Sequence, residues 1–170
     1  MRRLGARTRF GTAARRTTAA MLVAAAMLTG TGGFAAADEP AATTVFMLTT
    51  MPNGWQTRLD LRPVLEIRSD GSAVKRPDGG TQELKGKVPA EATTAAATEI
   101  RALAQVDLGT PTVTDQGNLI LDFMPAQPDP DVHLIVYAPE STEGLTDEQV
   151  AARARFATLY DKLLNAFSAS

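Results

Sequence analysis

Apolar and polar positions alternate most cleanly between Arg58 and Arg68. Leu59, Leu61, Leu65 and Ile67 share one parity, while Arg58, Asp60, Arg62, Glu66 and Arg68 share the other. A period of two belongs to a strand with one buried face and one wet face. Pro63 sits inside this run without an amide hydrogen, which predicts an edge strand or a bulge. Asp70-Gly71 is a hairpin pair, and Ala73-Val74-Lys75 returns as the partner strand. Upstream, Val45-Phe46-Met47-Leu48 reads as the first strand, closed by the turn signal Pro52-Asn53-Gly54.

The period then changes. Between Ala90 and Val106, Ala96, Ile100, Leu103 and Ala104 recur at helical steps, and Pro89 precedes them where a missing amide is harmless. Leu119 to Met124 and Val132 to Ala138 predict two further strands, joined as a hairpin by the stiff loop Pro125 to Pro130. The second is nearly continuous in apolar residues, which predicts a central place in the sheet. The last helix carries its own start signal. Thr146 and Gln149 make a capping box, and Asp147 and Glu148 suit the positive end of the helix dipole. Ala152, Phe156, Leu159, Leu163 and Phe167 form its apolar stripe, with Arg153, Arg155, Asp161 and Lys162 expected away from the stripe's centre. The sum is an α+β domain: a mainly antiparallel sheet of four to six strands, two helices packed on one face, and the order β-β-β-α-β-β-α. One extra strand near residues 81–85 is allowed by the pattern.

The first 37 residues stand apart. They hold six arginines and no acidic residue, then an apolar run from Thr17 to Leu28, then a Gly/Thr segment and Phe34-Ala35-Ala36-Ala37. Basic, apolar and small-residue regions in that order read as a secretory signal peptide, with cleavage between Ala37 and Asp38. Residues 38–44 are a polar lead, and 45–170 form the single domain. The alternative is an uncleaved membrane anchor, against which the apolar run is short of the roughly 20 residues a span needs. Arg15-Arg16 also raises the twin-arginine route, but no bulky residue follows the pair. The expected location is extracellular, with membrane contact only in transit.

Removing the leader changes the charge. The chain has 17 basic and 19 acidic residues, and the leader takes six of the basic ones, so the remainder carries a net −8. An acidic domain without a basic cluster is a poor ligand for nucleic acid. The chain has no cysteine. That excludes disulfides, thiolate metal sites, a cysteine nucleophile and a lipid anchor on a processed cysteine.

Pro63-Val64-Leu65-Glu66-Ile67-Arg68-Ser69-Asp70-Gly71 makes a strand-and-turn of the form P-x-L-x-(apolar)-x-x-D-G, and Gly109-Thr110-Pro111-Thr112-Val113-Thr114-Asp115 is G-x-P-x-(apolar)-x-D. With Val132 to Ala138 and the later Ala152-Arg153-Ala154-Arg155, the chain resembles a loose group of small exported proteins and lipoproteins of high-GC Gram-positive bacteria, the actinobacteria. The resemblance implies export and this order of elements. It implies no catalytic residue, since the group has no established activity. The absent cysteine separates this chain from the lipoprotein members and favours free secretion.

Candidate chemistry is sparse. His133 is the sole histidine, and no Gly-x-Ser-x-Gly elbow accompanies it. Asp122, Asp129 and Asp131, where the hairpin closes, offer hard oxygen ligands for calcium, but not at the spacing of a calcium loop. Trp55, the sole tryptophan, follows a turn and is a candidate binding anchor or a lid on the core. Arg58, Arg62 and Arg68 on the wet strand face either pair with Asp60 and Glu66 or form a polar recognition face. No cofactor motif is present. The expectation is a secreted, non-enzymatic binding or accessory domain for a protein, peptide or cell-envelope partner. The alternatives are a small hydrolase and a protease-inhibitor-like protein presenting the proline-rich loop. Mass spectrometry of protein recovered from culture supernatant is expected to return Asp38 as the first residue. An intact Met1 form in the membrane fraction is what the uncleaved anchor would give.

Overall fold

The computed structural model describes residues 41–53 and 60–170. The leader, Ala37, Asp38, Trp55 and Arg58 lie outside the described residues. The strands are β1 (Thr44–Met51), β2 (Leu65–Arg68), β3 (Ser72–Lys75) and β4 (Leu84–Lys87), then β5 (Asn118–Phe123), β6 (Val132–Tyr137) and β7 (Ser168–Ala169). Helix α1 (Ala90–Leu103) lies between β4 and β5, and α2 (Asp147–Ala166) between β6 and β7. The fold is α+β, with one seven-stranded sheet in the order β6-β5-β1-β2-β3-β4-β7. Every pairing is antiparallel.

One face of the sheet is the core. Phe46, Leu48, Leu65, Ile67, Ala73, Leu121, Phe123 and Val136 are buried, and they form one cluster with Ala96, Ile100 and Leu103 of α1 and Phe156, Leu159, Tyr160 and Leu163 of α2. Each large side chain buried there contributes roughly 1.5–3 kcal/mol of transfer free energy, with no disulfide to assist it. Phe46 stacks on Phe123 across the β1–β5 pair, with centroids 4.8 Å apart. The capping box at the start of α2 forms as expected: Gln149 donates its amide to Thr146 Oγ1, and Thr146 donates its own to Gln149 Oε1.

Four expectations need correction. The alternating segment is not an edge strand. Pro63 precedes β2, which lies between β1 and β3 in the interior. Pairing begins just after the proline, with the Val64 amide donating to Leu48 O, while Arg62 N–H turns away to Gly79 O. Pairing against β1 does shift register between Thr44 and Phe46. Second, β6 is an outer strand, not a central one. Its apolar run serves two faces of unequal cover, leaving Ile135 49% exposed. Third, the strand count is seven, because the segment near residues 81–85 pairs as β4 and the C-terminus adds β7 on top of it. A Cβ on Gly86 would collide with Ser168 O and the Phe167 ring, so the close approach of β7 depends on that glycine.

The fourth correction is Arg153. It is 5% exposed, on the buried side of α2. Its guanidinium donates to the carbonyls of Leu108, Gly109, Tyr137 and Ala138. These acceptors belong to the loop after α1 and to the end of β6, where no ladder serves them. A buried arginine answers a backbone demand that side-chain periodicity does not report. Burial pulls its pKa below the ordinary arginine value.

Two outcomes follow from this packing. Arg153→Ala is expected to cost about 3 kcal/mol in urea unfolding, because it leaves several acceptors unserved. Arg153→Lys should recover only part of that, since an ammonium lacks the planar fork. The second outcome concerns Tyr160, whose hydroxyl hydrogen-bonds to Thr50 Oγ1 at 3.0 Å. Burial pushes its pKa up from 10.0 to about 12. Between those values the unfolded chain loses the proton and the folded chain keeps it, so stability falls as pH rises through that window. Thermal midpoints measured across it should fall less for Tyr160→Phe than for the wild type.

Candidate functional site

The sheet face opposite the helices presents short cross-strand rows. Met47, Asp122 and His133 make one, Thr49, Ile120 and Ile135 the next, and Met51, Asn118 and Tyr137 a third. Met51 and Ile135 are exposed, whereas Met47, Ile120 and Tyr137 are half-buried. The result is an apolar strip across β1, β5 and β6 with paired polar side chains on either side.

One of those pairs joins His133 Nδ1 to Asp122 Oδ1 across the β5–β6 ladder, with the histidine side chain 58% exposed. A histidine held by a carboxylate is two-thirds of a hydrolytic triad. The adjoining positions Met47, Ile120, Asp131 and Ile135 carry no hydroxyl or thiol, and the hydroxyl of the next row, on Thr49, lies diagonal to Asp122 and two strands away from His133. Among the described residues the pair therefore has no nucleophile beside it. On the other side of the strip, Arg76 is 8% exposed and bridges Glu66 at 3.0 Å and Glu83 at 2.9 Å. Burial opposes its charge, but the two carboxylates outweigh burial and hold its pKa above the ordinary value.

The residues singled out by sequence disperse. Glu66 pairs with Arg76, not with an arginine of its own strand. Arg62 is exposed beside the turn Pro77–Gly79. Arg68 lies at the far end of the sheet, lining a cleft of about 490 Å³ with Lys87, Val88, Pro89 and Thr93. Asp129 is bound by Arg101 at 2.7 Å, and Asp122 by His133. Among the described residues, no three acidic or histidine side chains gather as a cation site. Between α1 and α2 runs a trough of about 740 Å³ floored by Ala96, Leu159 and Leu163, and the Arg155–Glu99 ion pair flanks it. It offers no buried polar group to orient a ligand.

The outer edge of β6 is the more specific feature. Ala138 N–H donates to Gly117 O, one step beyond the Asn118–Tyr137 register. Alternate residues of an antiparallel strand turn their backbone groups toward the same neighbour. Val132, Leu134 and Val136 thus face β5, and His133, Ile135 and Tyr137 face outward. Arg153 occupies the Tyr137 carbonyl. The Tyr137 hydroxyl donates to Val113 O and accepts from Gln116 N–H, which ties that side chain to the preceding loop. Among the described residues nothing reaches the outward N–H and C=O of His133 and Ile135. No proline, lysine or bulge guards this strand, although edges are ordinarily protected by such devices. The opposite edge is blunted: it ends in β7, an outer strand of only two residues, beside Lys85 and Lys87 of β4.

Sequence reasoning found neither the edge nor the Asp122–His133 pair. Both depend on the register of the β5–β6 hairpin, and an eight-residue connection leaves that register open. The alternation of His133, Ile135 and Tyr137 against Val132, Leu134 and Val136 was the available signal. No protein-family model, curated protein or solved structure matches the chain.

Proposed function

We propose that this protein is an exported, non-enzymatic binding domain that captures an extended segment of a partner protein along β6. The observation that carries the reading is an apolar strand edge in continuous register, left open among the described residues, on a sheet whose other edge ends in a two-residue strand. Unpaired backbone groups in a row recognise another strand, because only an extended backbone repeats donors and acceptors at that spacing. The apolar strip on the adjoining face adds side-chain contacts: an incoming strand continues the rows that end at Ile135 and His133. The acidic charge disfavours nucleic acid, and the leader supports release from the cell, with an uncleaved anchor as the alternative. Actinobacterial exported proteins remain the resemblance that agrees with both. The hydrolase reading has the Asp122–His133 pair in its favour and lacks an adjacent nucleophile among the described residues.

A phage-displayed library of linear peptides tests this. Selection is expected to enrich sequences with apolar residues at alternate positions, and Ile135→Pro should abolish their binding. The Ile135 amide points outward, so a proline there removes the docking bond and leaves the β5–β6 ladder intact. Circular dichroism checks that the variant is folded. Failure to enrich, or enriched peptides that bind the folded proline variant equally well, would count against strand capture.

A further inference from the structure

The free edge also specifies its own partner. Resting on the strand-addition reading above, we infer that the segment captured by β6 is β6 of a second copy, paired antiparallel about a two-fold axis through Leu134.

The argument is one of matching groups. Along the edge, the groups without a partner among the described residues are the N–H and C=O of His133 and of Ile135 and the N–H of Tyr137, because Arg153 covers the Tyr137 carbonyl. An antiparallel partner of identical sequence satisfies both groups of His133 and of Ile135 in one register and sets the Tyr137 N–H against the Asp131 carbonyl of the other copy. His133 of one copy exchanges both bonds with Ile135 of the other, and the two-fold axis repeats the exchange. The alternative register, centred on Ile135, sets His133 against Tyr137 and calls on the carbonyl that Arg153 already holds. The register centred on Leu134 therefore pairs both groups of His133 and of Ile135 without calling on the carbonyl that Arg153 holds.

Side chains agree with that register. On the open face, Ile135 of each copy lies beside His133 of the other, and the two isoleucines meet diagonally. Ile135 is 49% exposed in the single chain, the most exposed of its large apolar side chains among the described residues, and pairing covers it. On the core face, Leu134 meets its own copy. The strand Val132–Tyr137 carries no lysine, arginine, aspartate or glutamate, so two copies approach without like charges in register. The other edge sets the stoichiometry. It ends in the two-residue β7, too short to take up a strand of this length, so pairing stops at a dimer instead of running on as a filament.

The test uses the chain from Pro40 onward, which forms a compact unit by itself. Sedimentation equilibrium is expected to show a reversible dimer. Ile135→Pro deletes one donor from each copy and should weaken association by roughly thirtyfold, at about a factor of five per hydrogen bond. Ile135→Lys, which guards the edge without touching the backbone, should weaken it in the same direction. The absence of cysteine makes cross-linking selective. Leu134→Cys places two thiols at a non-hydrogen-bonded pair with Cα atoms about 4.5 Å apart, within disulfide range. Under air oxidation it should form a covalent dimer well ahead of Ile135→Cys. A wild type that stays monomeric, a dimer indifferent to both Ile135 substitutions, or a Leu134→Cys variant that fails to cross-link overturns the inference. If self-pairing fails while library peptides still bind through Ile135, β6 captures a different protein. If both fail, strand addition itself is wrong.

Discussion

The guanidinium of Arg153 carries a formal charge into the protein and meets no carboxylate there; its partners are carbonyls from two separate stretches of chain. That arrangement is costly unless every donor is used, because the charge has left water and carbonyl dipoles alone replace its hydration. The return is positional. Leu108 and Gly109 lead from α1 toward β5, and Tyr137 and Ala138 end β6, so one side chain of α2 ties both ends of the β5–β6 hairpin to the helix layer. Gly109 sits at positive φ, and its amide bonds to Asp107, whose other oxygen accepts from Gln149 in the first turn of α2. These two hydrogen bonds hold the Asp107 carboxylate below its usual range. The same helix thus holds the loop by its start and by its buried arginine.

From that anchorage the asymmetry of the sheet follows. The helices cover one face, so strand residues of the other parity end in the open. The chain returns from α2 to lay β7 against β4, but among the described residues nothing comparable is laid against β6. Covering β4 needs an incoming backbone at close range, and Gly86 provides the room for it. At β6 the nearest groups belong to Arg153 and the loop of Val113 and Gln116, and they engage the strand only at its C-terminal end. The remaining outward backbone groups have no partner among the described residues, on a strand whose side chains are mostly apolar.

Local rules read the chain well wherever the deciding interaction is local. The α2 cap, the Asp70-Gly71 turn and the α1 stripe depend on residues a few positions apart. Asp70 even accepts from both the amide and the hydroxyl of Ser72, as such turns do. Placement within the sheet is different. Val132 to Ala138 is apolar enough for a central strand, and Pro63 is awkward enough for an edge, yet their places are reversed. A strand's composition reports how its two faces are covered, not whether its two sides are paired. Pro63 is accommodated by starting the ladder one residue later, which costs a shorter strand and no lost bond. Arg153 was misplaced for a related reason: its spacing puts it next to the apolar stripe, and only the carbonyls beyond the helix explain why a charge belongs there. Trp55 and Arg58 lie outside the described residues.

An unguarded edge on an otherwise well-finished domain calls for an explanation outside the domain's own stability. Other exposed backbone is managed: β4 is covered by the short β7, the start of α2 is capped by Thr146 and Gln149, and the end of β6 is held by Arg153. A lysine at position 135 would protect β6 at almost no cost to the core, because that side chain points to the open face. Natural sequences pay for such guards routinely when an edge has no use. An isoleucine in that place leaves association possible, and it sits where the free backbone groups are most numerous. The proposed capture thus uses the one long strand edge that the other described residues leave unpaired.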